Sequence, residues 1–137
     1  MKILHLCCFV LAIPLLAQQS PGDDPIGRLL FPPELVLSHQ DEVGLVEKQR
    51  AQVKSEVMKV QTRFIEMQWQ LGEESGKMAT LLRAVPVDEA KVLEQADRVM
   101  AMERDIKRMH LTMLIRIRNL LTNEQRAKLE EIRRRGP

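Results

Sequence analysis

Aromatic side chains are almost missing from this chain: three Phe, one Trp and no Tyr among 137 residues. The core must come from Leu, Val, Ile, Met and Ala, and a chain rich in Ala, Glu, Lys, Leu and Arg predicts helices with aliphatic seams. Cysteine occurs only at Cys7 and Cys8, inside an N-terminal apolar run. Beyond that run there is no disulfide framework, no thiol nucleophile and no thiolate metal site. Only two histidines follow it, His39 and His110, and no helix carries a His-x-x-x-His pair. Serines stand at 20, 38, 55 and 75 without a triad context, and no glycine-rich phosphate loop is present. No nucleophile–base constellation is visible, so the sequence predicts a protein that is not an enzyme.

The N-terminal run itself is short. Lys2 precedes an apolar stretch from Ile3 to Leu16, and Leu15-Leu16-Ala17 offers a cleavage site before Gln18. That pattern reads as a secretory signal peptide over 1–17, the alternative being a retained N-terminal anchor. The positions just before Cys7 lack the small-residue box of a lipoprotein. Cleavage would remove Lys2 and no acid, taking the net charge from +2 to +1. The distribution says more than the sum. From Gln18 to Asp97 there are nine basic and fourteen acidic residues; from Arg98 onward there are eleven basic and five acidic. Charge pairing between antiparallel helices, or between subunits, is the simplest use of such polarity; a polyanion site is the other. Export argues against nucleic acid as a partner.

Residues 18–33 carry Pro21, Gly22, Pro25, Pro32 and Pro33 and read as a flexible tether, or one packed loosely by Ile26, Leu29, Leu30 and Phe31. A helical domain over 34–135 follows. Pro33 to Val43 predicts a short first helix, entered at proline and ended by Gly44. A second helix runs from near Leu45 towards Ala84. Its seam is Val53, Val57, Val60, Phe64, Met67, Leu71, Met78, Leu81 and Val85, with Glu74 in the one vacant place and Met58, Ile65 and Trp69 as a flanking stripe. Gly72 and Gly76 predict a soft or bent segment there. Pro86 breaks the pattern and Asp88 caps a third helix over about 89–120. In that helix Val92, Val99, Ile106, Met113 and Leu120 recur every seven residues, with Ala96, Glu103, His110 and Ile117 as the alternate row. The short loop forces the two long helices back antiparallel. Thr122 and Gln125 form a Ser/Thr-x-x-Glu/Gln capping box for a fourth helix that ends in Arg133-Arg134-Arg135.

Leu121-Thr122-Asn123-Glu124-Gln125-Arg126-Ala127 has a partial copy, Leu45-Val46-Glu47-Lys48-Gln49-Arg50-Ala51. The copies bracket the hairpin. With the export signal, this pair resembles the Spy/CpxP (LTXXQ) family of periplasmic proteins, whose relatives include CnrX- and ZraP-like heavy-metal sensors. Leu121, Thr122 and Gln125 match the motif fully. Leu45 and Gln49 match a first copy in which Val46 replaces the threonine. The resemblance implies an all-α fold of four helices on a long antiparallel hairpin, forming a cradle-like homodimer in the periplasm. It also implies an ATP-independent chaperone that binds unfolded or partly folded clients. The alternative it implies is a sensor or resistance protein for nickel, cobalt, copper or zinc that acts on a membrane sensor protein.

Two sets of candidate site residues follow. For clients they are Met102, Arg104, Arg108 and Met109: soft and basic side chains beside the third-helix seam. For a metal they are His39 and Glu42, one turn apart, and Glu103, His110 and Met113 on the third helix; mixed His/Glu/Met ligation suits a divalent transition metal. Seam packing for the methionines and a hydrogen-bonded core-edge position for His110 are the structural alternatives. No other cofactor is expected. The motif residues themselves read as structural, set apart from any client or metal.

Overall fold

A computed structural model describes residues 26–136. The predicted signal segment 1–17 and residues 18–25 of the tether lie outside the described residues. A 3-10 turn at Gly27–Leu29 leads into five helices: α1 Pro33–Ser38, α2 Gln40–Val43, α3 Glu47–Leu82, α4 Glu89–Leu120 and α5 Asn123–Arg135. No strand occurs among the described residues. The all-α hairpin is therefore present, with α3 and α4 packed against each other.

The single first helix expected over 33–43 is two helices. His39 sits between them, half-buried, with φ −111° and ψ 20°. Its Nδ1 lies 3.1 Å from the Leu35 carbonyl and 3.0 Å from Ser38 Oγ. The ring thus takes up the carbonyl that a continuing helix would offer to the backbone N–H of residue 39. Gly44, at φ +73°, then closes α2. Gly44 N–H donates to Asp41 O at 3.1 Å and Leu45 N–H to Gln40 O at 2.9 Å, the paired bonds of a Schellman end.

The tether reading needs correction over its described part. Leu30 and Phe31 are buried, and three arginine bonds pin the backbone carbonyls of residues 28–30. Arg118 Nε donates to Leu29 O at 2.9 Å. Arg133 donates to Arg28 O at 2.7 Å and to Leu30 O at 2.5 Å, with its guanidinium 5.1 Å from the centre of the Phe31 ring. Prolines exclude a long helix here, but they leave Phe31 free to enter the core.

That core lies at one end of the hairpin. Phe31, Val36, Val43 and Leu45 meet Val53 of α3, Met113 and Ile117 of α4, and Leu121, Leu129 and Ile132 around α5. Towards the tip, burial thins to Met67, Gln95 and Val99. Phe64 and Leu82 are exposed, and Val85 is 97% exposed in the connecting loop. Asp88 caps α4, accepting from Lys91 N–H at 3.2 Å. α3 is continuous through Gly72 and Gly76, so the two glycines do not interrupt the helix.

The α4 seam keeps the expected seven-residue row, with Ala96 and Ile117 of the alternate row, and departs from it at two positions. Val99, Ile106, Met113, Ile117 and Leu120 are covered, but Glu103 and His110 are exposed, and half-buried Met102 and Met109 lie in the seam instead. An ionised carboxylate at position 103 would have to shed its water, whereas a thioether fills an irregular gap at little cost. The polar seam position on α3 is matched. Buried Gln95 donates to Glu74 O at 2.9 Å and to Glu74 Oε2 at 2.6 Å.

Candidate functional site

The two Leu-x-x-x-Gln-Arg-Ala copies meet in space. At α5 the box is complete: Thr122 Oγ1 accepts from Gln125 N–H at 3.2 Å, and Thr122 N–H donates to Gln125 Oε1 at 2.9 Å. At α3 only the reciprocal half exists, Val46 N–H to Gln49 Oε1 at 3.1 Å, since valine has no acceptor. Each glutamine then crosses to the other copy. Gln49 Nε2 donates to Leu120 O at 2.7 Å and Gln125 Nε2 to Gly44 O at 3.1 Å. Those carbonyls stand two residues before Thr122 and Val46, so the arrangement is pseudo-twofold. The two amides also bond each other, Gln49 Nε2 to Gln125 Oε1 at 2.9 Å and Gln125 Nε2 to Gln49 Oε1 at 3.0 Å. Leu45 and Leu121 fill the core beneath. Gln49, Thr122 and Gln125 are the clasp that closes the hairpin's base.

Above this base the hairpin has two unlike faces. One holds an apolar groove of about 670 Å³. Ile26, Leu30 and Pro33 close one end; Val57, Val60 and Phe64 of α3 and Ile106, Met109, Met113 and Leu114 of α4 form its walls. Glu34, Gln61, Lys107 and His110 supply its polar edge. The other face holds a groove of about 400 Å³ edged by Glu56, Lys59, Asp105, Arg108 and Arg116. There Glu56 joins Lys59 at 2.9 Å and Arg116 of α4 at 3.0 Å. Hydrogen bonds from Lys59 and then Arg116 hold the Glu56 carboxyl below the usual glutamate range. With Glu42 and Arg135, 2.5 Å apart, this pair realises the expected pairing of acidic early helices with basic late ones.

The structure divides the candidate metal donors. His39 and Glu42 stand at the base, where the bond from Arg135 occupies Glu42 and lowers its pKa. The Leu35 carbonyl and Ser38 Oγ both engage His39 Nδ1, which leaves Nε2 as the nitrogen free of these two contacts. His110 is exposed on the groove edge, Met113 is buried in the core, and Glu103 is exposed outside both grooves. Among the described residues no group of three or more His, Cys, Asp or Glu converges. Of the client candidates, Met109 lines both grooves and Arg108 the charged one, while Met102 and Arg104 line neither. The apolar groove also draws on Phe64 and the 26–33 segment, which sequence spacing assigned to seam and tether, and on Leu114, which it did not single out. No helix among the described residues is long and apolar enough to cross a membrane.

These features define a helical-hairpin protein with a clasped base and an open apolar groove. The chain belongs to the heavy-metal resistance family, whose sequence profile matches residues 4–128. No curated protein and no solved structure gives a significant match.

Proposed function

We propose that this protein is an exported, non-catalytic heavy-metal resistance component that works in the periplasm by binding a signalling partner. Family membership over residues 4–128 is the observation that carries this reading. A client-binding chaperone of Spy/CpxP type, the leading expectation from the motif pair, has no comparable support and gives way to it.

A resident transition metal is a poor fit to the single chain. Such sites take three or more convergent ligands, and the described donors fall in separate places. The working surface in this proposal is the apolar groove. An amphipathic helix of the partner would bury its apolar face against Val57, Phe64, Ile106 and Leu114, with Glu34, Lys107 and His110 orienting it at the edge. Phe64→Glu tests this, because Phe64 is exposed and its loss leaves the base core untouched. In a host lacking the gene, the wild-type protein restores metal tolerance and Phe64→Glu does not. Equal restoration by both would remove the groove from the proposal.

One observation favours a second reading, direct sensing: His110 shares the groove with the soft donors Met109 and Met113. Calorimetric titration with nickel, cobalt, copper and zinc separates the two. Heat that disappears in His110→Ala assigns sensing to this chain; no heat for any of the four excludes it.

A further inference from the structure

The apolar groove has two unlike ends. Glu56 meets Arg116 and, further along, Glu74 meets Gln95, which fixes the antiparallel register of α3 and α4. In that register Val57 and Leu114 lie towards the clasped base, while Phe64, Ile106 and Lys107 lie towards the tip. The base end is stopped by the 26–33 segment, whose carbonyls Arg118 and Arg133 hold in place. From Leu114 to Lys107, α4 rises about 10 Å at 1.5 Å per residue.

Charge divides along the same line. Exposed Glu34 edges the stopped end and exposed Lys107 the tip end. Among the described residues neither side chain has an ion-pair or hydrogen-bond partner. On the opposite face, by contrast, Lys59 and Arg116 are both taken up by Glu56. The apolar groove therefore carries a cation at its mouth that the fold itself does not use.

We propose that this groove binds one long-chain fatty carboxylate, its tail towards the base and its head group at Lys107. The volume, about 670 Å³, falls within the ~300–1,000 Å³ of small-molecule sites, which are mostly apolar with a few placed polar groups. An ionised carboxylate has to keep its water or meet a cation, so it cannot follow its tail to the stopped end. Glu34 repels it there, and Lys107 attracts it at the other end. An alkylammonium reversed to meet Glu34 would press its head against Ile26, Leu30 and Pro33 and lose water without replacement. Met109, unbranched and polarizable, lets the wall adjust to a thin, flexible tail.

This inference goes beyond the metal role and does not rest on it. A bound tail and a partner helix would exclude each other, because both need the same walls. Calorimetric titration of the purified protein with dodecanoate, below its micelle-forming concentration and without metal or partner, reads one site per chain. With the methionine methyl groups labelled, dodecanoate shifts the resonances of Met109 and Met113, which line the groove. Those of Met58 and Met100, exposed away from it, stay in place. Dodecylamine binds at least about tenfold more weakly. Lys107→Glu reverses that preference with an unchanged circular dichroism spectrum, whereas Arg108→Glu, on the opposite groove, keeps it. Ile26→Glu, at a position 63% exposed, places a second acid at the stopped end and weakens dodecanoate at least about tenfold. Absence of heat and of methyl shifts, which would leave the groove to a macromolecule, overturns the inference. So does binding at many sites per chain, or the same head-group preference in wild type and Lys107→Glu. Since the assay holds neither metal nor partner, its failure is read separately from failure of the metal role.

Discussion

Replacing Gln125 by alanine removes the centre of the clasp. Gln125 is buried, at 7% exposure. It accepts from Thr122 N–H and Gln49 Nε2, both at 2.9 Å, and donates to Gly44 O at 3.1 Å and Gln49 Oε1 at 3.0 Å. A neutral hydrogen bond contributes about 1 kcal/mol net, and a stranded buried partner costs more. Gln49 keeps two bonds, to Val46 N–H and Leu120 O, so the damage concentrates on Gly44 O and the paired amide. One lost methylene adds about 0.8 kcal/mol, and alanine's better helix propensity returns a few tenths. The expected loss is about 2–4 kcal/mol, a large part of the ~5–15 kcal/mol typical of a domain. Urea unfolding followed by far-ultraviolet circular dichroism measures it. The Gln49→Ala/Gln125→Ala double variant loses less than the sum of its singles, by about 1 kcal/mol, because the shared amide pair is counted once. A Gln125→Ala loss below about 0.5 kcal/mol, the level of an ordinary surface change, would refute the clasp.

Three further outcomes follow from the same geometry. Val46→Thr completes the missing half of the α3 box: Val46 already has the extended backbone of an N-cap and is 60% exposed, so thermal unfolding shows a gain of about 1 kcal/mol. Arg133→Ala releases Arg28 O, Leu30 O and the Phe31 ring, costing about 2 kcal/mol, with hydrogen exchange accelerated around residues 28–31. Acid weakens the fold through depressed carboxyls: Glu42 bonded to Arg135, Glu56 to Lys59 and Arg116, and Glu74 to Lys77 and Gln95. Their folded pKa values lie below the unfolded ones, so the stabilisation is full above the ordinary glutamate value near pH ~4.3 and fades as pH falls through the depressed values. Urea midpoints across that range check it, and Glu56→Gln flattens part of the profile.

Much of the fold was legible because two strong local signals coincided. Seven-residue spacing marked α3 and α4, and Pro86 with Asp88 marked their turn. The base was less legible. Nothing in the spacing says that His39 turns its ring onto Leu35 O, or that Phe31 is buried beside Pro32 and Pro33, because both outcomes depend on tertiary partners. The Gln49–Gln125 bond was visible only as repetition: both motifs carry glutamine at the third helical position, and its crossing requires the folded chain. Glu74 gave a usable hint, since a polar residue in an apolar seam needs partners, and buried Gln95 across the hairpin is one of them, beside Lys77. The alternate row of α4 misled, because Glu103 and His110 keep heptad spacing yet lie one residue out of the true seam. Two of the candidate metal donors, Glu103 and His110, inherited that offset.

The central claim is a role in heavy-metal resistance, and growth of a strain lacking this gene measures it most directly. Tolerance is titrated separately against nickel, cobalt, copper and zinc, with the wild-type gene returned as control. Reduced tolerance to at least one of the four metals, restored by the gene, is the result predicted. Unchanged tolerance to all four would contradict the account.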